Sequence, residues 1–304
     1  MAPQPSHAES SSKPSPALAS GLYVVATPIG NARDITLRAL DVLNAADVIA
    51  CEDTRTTGSL MARLGVATPL TPYHEHNAGR ARPALLARLA RGEAVALVSD
   101  AGTPLVNDPG FKLTRAALDD GHAVIPIPGP SAPLAALVAS GLPSDRFLFA
   151  GFPPPKEAAR AAFVADLAAV PASLILFESA RRLPATLAAL AAGLGARPAA
   201  VCRELTKRFE GVRRDPLPAL AAHYAEAGPP KGEVVIVVAP PDADAAAAAL
   251  TPQDLDDRLR AALAAGLGTK DAAARVATET GVPRRALYQR ALALSRSPDR
   301  EADG

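Results

Sequence analysis

The sequence has no tryptophan, two methionines and two cysteines in 304 residues, and only 4% of it is aromatic. Two cysteines, Cys51 and Cys202, cannot build a multi-disulfide scaffold. Neither stands in a C-x-x-C pair or beside a histidine, so no zinc site and no metal is expected. A reducing compartment follows, and the cytoplasmic location is the expectation. With 49% hydrophobic residues and so few aromatics, the core falls to Ala, Leu and Val. No uncharged apolar run reaches the roughly 18 residues of a membrane span, which excludes a membrane partner. Neither sign of charge is in excess: 32 Lys and Arg against 31 Asp and Glu give +1. That balance excludes a surface coated for naked nucleic acid and confines any such contact to a local patch.

The catalytic fingerprints that are missing narrow the chemistry. There is no GxxxxGK[ST] loop, and no GxGxxG opens a helix after the first strand, which sets aside nucleoside triphosphates and NAD. A nucleophile elbow, an HExxH and a Cys/His pair placed for covalent catalysis are absent as well.

Residues 1–20 are rich in Ser, Pro and Ala without apolar periodicity, so a disordered tail is expected there. Ala17-Leu18-Ala19 imitates a signal-peptidase site, but no apolar run precedes it and Lys13 is the sole basic residue of the stretch; secretion is not expected. Folding signals start at Leu22. Leu22 to Ala26 reads as a buried strand closed by Thr27-Pro28-Ile29-Gly30-Asn31, and a helix follows that Asp34 can cap. A second strand at 47–51 ends in Glu52-Asp53-Thr54-Arg55. Strands at 94–98 and 123–127 and a helix at 110–119 continue an alternation that predicts an α/β fold with a largely parallel sheet.

A chain of this length exceeds one core, and the pattern changes near Gly141-Leu142-Pro143-Ser144. The expectation is an N-terminal α/β domain over 21–141 and a second α/β domain over 142–240, with strands at 147–150, 173–177, 199–202 and 234–238. A C-terminal region over 241–304 comprises a linker, Asp242 to Ala249, and three helical segments at 255–265, 270–280 and 284–294.

Three polar, Gly/Pro-rich loops, TPIGN, SDAGTP and PGPS, each follow a strand, so all gather at the carboxyl edge of one sheet, where ligands of such sheets bind. Within SDAGTP, Asp100 stands at a strand end and Gly102 admits close approach to the backbone, a pattern that serves an amine or a ribose hydroxyl and equally a strand-ending Asx turn. Pro126 to Ala132 is a stiff loop with open main chain, fit for backbone contacts or simply for connecting. The adjacent carboxylates Glu52 and Asp53 read first as a solvated turn, and otherwise as metal or acid/base groups, though neighbours on an extended loop point apart. Tyr73-His74-Glu75-His76-Asn77 suits stacking on a splayed base, a plain surface or, less well for want of a third ligand, a metal.

TPIGN, EDTR, SDAGTP with NDPG, PIPGPSA, GLPSDRF, FES, RELTK and KGE, in this order and spacing over Gly21 to Val238, make the chain resemble the 16S ribosomal RNA (cytidine-2′-O)-methyltransferases of the tetrapyrrole methylase superfamily. A weaker likeness continues in Lys270, Ala272, Ala273, Leu287 and Tyr288. The resemblance implies a tetrapyrrole-methylase-like, class III methyltransferase fold of two α/β domains, with S-adenosyl-L-methionine in a cleft between them. It also implies a homodimer. Matched residue by residue, the cofactor candidates are Pro28, Asp100, Gly102, Thr103, Ser131, Ala132, Phe177, Glu178, Lys231, Gly232 and Glu233. Small-molecule members of the superfamily carry a glycine-rich first loop, often G-x-G-P-G. Thr-Pro-Ile-Gly-Asn departs from it and points to the RNA branch.

The implied reaction moves a methyl group from a sulfonium to a ribose hydroxyl, so alignment is a large part of catalysis. The hydroxyl is too weak an acid to ionise at neutral pH, and a positioned base contributes roughly 10² to 10⁴-fold. Glu52 and Asp53 are the candidates, with Arg55 orienting the ribose phosphate and Asn107 and Asp108 in reserve. Candidates for RNA contact are Arg33, Arg38, His74, His76, Arg181, Arg182, Arg203, Lys207 and Arg208, each also readable as surface charge or, for Arg203 with Glu204, as a structural ion pair. The basic residues of the last helices, Arg275, Arg284, Arg285 and Arg290, fit RNA docking, dimer packing or a solvated face. Near-neutral charge favours 16S ribosomal RNA within the small ribosomal subunit over free RNA. Two rivals stand beside this reading: a tetrapyrrole-type small-molecule methylase, and a non-catalytic ribosome-binding or assembly protein.

Overall fold

The computed structural model describes residues 18–106, 110–242 and 251–296. The expected tail up to residue 17, Asn107 and Asp108, and the linker from residue 243 lie outside the described residues. Contacts divide the chain into two compact units, residues up to 140 with 201–213 and 231–235, and residues 141–200 with 214–230 and 236 onward.

The first unit is built on a five-stranded sheet of order β3-β2-β4-β1-β5. Its strands are β1 (Gly21–Val25), β2 (Val48–Cys51), β3 (Leu70–Pro72), β4 (Ala94–Leu97) and β5 (Val124–Ile127). Every neighbour pair runs parallel. The unbroken apolar runs VIAC and AVAL are buried at every position, as expected of a parallel sheet covered on both faces. Alternate side chains serve the two faces. On one face Tyr23, Val25, Ile49, Cys51, Ala94 and Ala96 meet helices α1 (Leu37–Ala45) and α2 (Thr54–Leu64) through Ala39, Val42, Leu43 and Met61. On the other, Leu22, Val48, Ala50, Val95 and Leu97 meet α3 (Ala78–Ala90) and α4 (Phe111–Asp119) through Leu85, Leu89, Leu113 and Ala117. Helix α5 (Ala132–Ser140) follows β5.

A second five-stranded sheet has the order β6-β7-β10-β8-β9. It comprises β6 (Phe147–Gly151), β7 (Ser173–Ser179), β8 (Pro198–Arg203), β9 (Gly211–Pro216) and β10 (Glu233–Val238). Helices α6 (Glu157–Leu167), α7 (Leu183–Leu194) and α8 (Leu217–Ala227) accompany it. The described part of the second unit ends in α9 (Pro252–Ala264), α10 (Thr269–Thr280) and α11 (Arg284–Arg296). These three pack around Leu259, Ala272, Val276 and Leu287, and a Thr251–Asp254 capping box opens α9. Among the described residues no helix is long and apolar enough to cross a membrane.

The α/β alternation expected from the sequence is present, with three corrections. Strands β3 and β9 were not anticipated: each is an edge strand, β3 is three residues long and β9 reads Gly-Val-Arg-Arg-Asp-Pro, so neither buries a run that announces it. Asp34 does not cap α1. Asn31 to Asp34 forms a separate 3₁₀ turn, and Ile35 leaves it extended. Thr36 is the cap instead, its Oγ1 accepting from Ala39 N at 3.1 Å. Thr36→Ala is therefore expected to cost about 1 kcal/mol and Thr36→Ser almost nothing, read as the urea midpoint; equal midpoints for the two variants would assign the helix start elsewhere.

Candidate active site

All five strands of the first sheet point the same way, so the segments leaving β1, β2, β4 and β5 emerge at one edge. Main-chain bonds join them. Thr27 N donates to Gly102 O at 2.8 Å and Gly102 N returns to Thr27 O at 3.0 Å. Thr27 Oγ1 donates to Ser99 O at 3.2 Å, and Thr103 Oγ1 donates to Pro130 O at 3.1 Å. Gly102 sits at φ +84°, and a Cβ there would stand 3.3 Å from Ile29 Cγ2; glycine meets both the left-handed geometry and the close approach. The β2 segment joins through Asp53, whose N donates to Asp100 Oδ1 at 3.2 Å.

Asp53 is also the N-cap of α2, accepting from Arg55 N at 2.8 Å. Its two oxygens take a fork from Arg55 Nε and Nη2 at 3.2 and 2.9 Å, the bidentate geometry of an arginine on a carboxylate. The Arg55 side chain lowers the Asp53 pKa to about 2 and is itself raised. Glu52, one residue earlier, moves the other way: burial first, then the Asp100 charge, raise its pKa, while His74 opposes them.

A cleft of about 710 Å³ opens here, entirely within the first unit. Pro28, Asp53, Arg55, Asp100, Lys207 and Glu233 line it, so catalytic, cofactor and RNA candidates share one wall. Glu52 is not among its lining residues. Sequence reasoning missed the rest of the α2 wall, Thr56, Ser59, Leu60 and Arg63. Arg55, Ser59 and Arg63 stand at i, i+4 and i+8, a helical row that becomes visible once Asp53 is read as a cap.

Lys207 reaches the cleft under restraint. Its Nζ bonds Glu204 Oε1 at 3.0 Å and Glu233 Oε2 at 2.9 Å. Glu204 also accepts from Glu233 N at 3.0 Å, and these bonds lower its pKa. Glu204 therefore pairs with Lys207, where the sequence suggested Arg203. Gly232, at φ +97°, is required beside this group, because a Cβ would fall 2.4 Å from Glu204 Cδ. Asn31 N donates to Thr206 Oγ1 at 3.2 Å, tying the same turn to the first loop.

The remaining candidates are dispersed. Ser131 and Ala132 open α5, and Ala132 lines a small recess with Ile29, Cys202, Leu205 and Val235. Lys231 is exposed. Arg33 and Arg38 are exposed, Arg38 donating to Pro126 O at 3.3 Å. Arg208 is exposed and lies over the Phe209 ring at 5.5 Å. His76 is exposed and His74 half-buried, 6.0 Å apart between ring centres. Among the described residues no cluster of His, Cys, Asp or Glu could hold a metal ion. Tyr73 cannot stack on a base, as its position in the sequence had suggested: at 1% exposure it is a core side chain.

Phe177 and Glu178 belong to the second unit. Phe177 packs edge-on against Phe149 at 4.8 Å and against Phe152 at 5.5 Å. The buried Glu178 carboxylate takes bonds from Ser179 N at 2.7 Å, Thr186 Oγ1 at 2.5 Å and Arg182 Nη2 at 3.1 Å. Arg182 also donates to Pro153 O, while Arg181 is exposed.

Strand-end loops gathered around a cleft at the carboxyl edge of a parallel sheet are a ligand-binding arrangement, and the chain belongs to the tetrapyrrole (corrin/porphyrin) methylase family, whose model matches residues 21–221. A second model, the RsmI C-terminal HTH domain, matches residues 248–295. The Ribosomal RNA small subunit methyltransferase I of Mesorhizobium japonicum is 54% identical over 292 residues, 96% of this chain and 97% of that protein. The protein of the same name from Erythrobacter litoralis is 50% identical over 279 residues, 91% and 96% of the two chains. A crystal structure of diphthine synthase shares the fold with a TM-score of 0.57 at 19% identity, covering 72% of this chain and 89% of that one. The family resemblance carried by the eight motifs is borne out.

Arg182 stabilises a buried carboxylate. Arg182→Ala is expected to lower unfolding free energy by about 3 kcal/mol, because it leaves Glu178 buried without its counter-ion. Unchanged stability in a denaturant titration would return Arg182 to the pool of solvent-facing cations.

Proposed function

We propose that this protein is an S-adenosylmethionine-dependent methyltransferase that modifies the 2′-hydroxyl of a cytidine in 16S ribosomal RNA, taken in the assembled small subunit. The observation that carries the reading is the shared cleft in which the Asp53–Arg55 fork faces the loops of Pro28 and Asp100. Relatives named for small-subunit ribosomal RNA methylation, at 50–54% identity over nearly the whole chain, set its class.

The residues present fit the cofactor. Its sulfonium and amino groups are cationic, and Asp100 and Glu233 place carboxylates on the cleft wall. Gly102, without a Cβ, leaves the Thr27–Gly102 main chain open to close approach. A cleft of about 710 Å³ falls within the usual range for small-molecule sites. When bound, S-adenosylmethionine supplies an electrophilic methyl group.

The chain then has to hold the ribose and take its proton. Arg55 and Arg63 offer guanidinium groups two turns apart on one face of α2 to the phosphates flanking the ribose, with the Ser59 hydroxyl between them. Asp53, held ionised by Arg55, fixes the orientation of that guanidinium and is too weak a base at neutral pH to accept a ribose proton. Glu52, with its raised pKa, has the greater proton affinity of the two and is assigned the proton; because it stands behind the cleft lining, it takes it through one bridging water. Its neighbour Asp100 supports this by disfavouring a second negative charge.

A base works in its deprotonated form, so kcat/KM rises with pH through the pKa of Glu52 and levels above it. The acid limb is expected above the ordinary glutamate range. Glu52→Gln is expected to lower kcat by about 10² to 10⁴-fold and to abolish that limb, whereas Asp53→Asn lowers the rate and keeps it. An unmoved limb in Glu52→Gln would take the proton away from Glu52. Substrate class is tested separately by mass spectrometric mapping of 16S ribosomal RNA from a strain lacking the gene. One missing cytidine 2′-O-methyl, restored by the gene, is the expected result, and an unchanged map overturns the reading. Methylation of naked transcript as fast as of subunits would remove the assembled subunit from it.

A further inference from the structure

The three C-terminal helices close on their own core and leave a basic face that the core does not use. Residues 251–296 hold eight Lys and Arg against five Asp and Glu. Four of those carboxylates are engaged locally: Asp254 in the capping box, Asp256 with Arg290, Asp257 with Arg260 and Glu279 with Arg275. Arg258 lies in the field of Asp254. Lys270, Arg284 and Arg285 are exposed and have no carboxylate partner among the described residues.

These three converge where α10 and α11 begin, and Arg284 Nη2 donates to the Lys270 carbonyl at 3.4 Å. Tyr288 follows Arg284 by four residues and Arg285 by three, which puts its ring on the arginines' side of α11. The ring is 37% exposed while Leu287 beside it is buried. The helix following the turn of a helix-turn-helix is the one presented to nucleic acid, and α11 follows the turn at Gly281 to Pro283. The deep, narrow groove of duplex RNA does not admit a helix, whereas unpaired RNA offers phosphates to guanidinium groups and bases to an aromatic ring.

We propose that Lys270, Arg284, Arg285 and Tyr288 form a docking surface for an unpaired segment of ribosomal RNA, a contact additional to the methylation cleft. It rests on the ribosomal RNA reading given above. Charge complementarity selects the partner, since the face offers three cations and a ring against one exposed carboxylate, that of Asp271 beside Lys270.

The full-length Arg284→Ala/Arg285→Ala, Tyr288→Ala and Tyr288→Phe proteins test it, titrated by filter binding against naked 16S ribosomal RNA over a series of salt concentrations. The double variant is expected to lose about 1 from the slope of log K against log salt for each arginine. Tyr288→Ala should weaken binding about tenfold and Tyr288→Phe leave it unchanged, because stacking needs the ring and not the hydroxyl. S-adenosylmethionine affinity and kcat on small subunits should match the parent while KM rises. Parental affinity and salt slope in the double variant and in Tyr288→Ala would overturn the proposal. So would a loss confined to intact subunits, which assigns the face to a ribosomal protein. A parent enzyme that transfers no methyl group to ribosomal RNA defeats the earlier functional reading, and the RNA titrations still decide this surface.

Discussion

The reciprocal pair of main-chain bonds linking Thr27 and Gly102 is the constraint on which the site depends. Parallel strands deliver their loops to one edge, but they do not fix the loops' heights or directions. The Thr27–Gly102 bonds do that for β1 and β4, Thr103 extends the tie to the loop after β5, and the Asp53 amide on Asp100 brings in β2. Thr27 is fully buried, so these bonds are shielded from competing water. The polar residues beyond them are thereby held by a lattice of backbone atoms.

Within that frame, adjacent carboxylates acquire opposite characters. Asp53 caps a helix and grips an arginine, which stabilises its charge. Glu52, half-buried next to Asp100, has its charge disfavoured. Neighbours in sequence thus divide a structural duty from a chemical one, as environment alone sets two carboxyl groups apart. The same economy governs the second unit, where Glu178 is committed to Arg182 and Thr186.

Much of the fold could be read from the chain because central strands are written as unbroken Val, Ile, Ala and Leu, and because turn residues punctuate them. The shared edge of the Pro28, Asp53 and Asp100 loops followed from the same pattern. What escaped reading was decided by tertiary context. Thr36 takes the cap that Asp34 seemed placed for, since a 3₁₀ turn intervenes. Tyr73, polar in company, turns inward. Arg182 and Lys207 look alike as charges, yet one neutralises a buried carboxylate and the other bridges two glutamates at the cleft. Glu178 and Glu204 stand only four and three residues from these cations, but the burial of Glu178 and the approach of the distant Glu233 leave no local trace, so the assignments needed coordinates. The Arg55–Ser59–Arg63 row was available in principle, and only the unrecognised cap at Asp53 concealed it.

The two strands that went unread share a further property. Edge strands expose unpaired amide and carbonyl groups that can recruit another chain. β3 ends in Pro72, which has no amide to offer, and β9 carries Arg213, Arg214 and Asp215, whose charges resist stacking beside a second copy. The features that hide these segments from a search for hydrophobic pattern also guard them against intermolecular sheet growth. Their unremarkable sequence is a form of solubility insurance in a crowded cell.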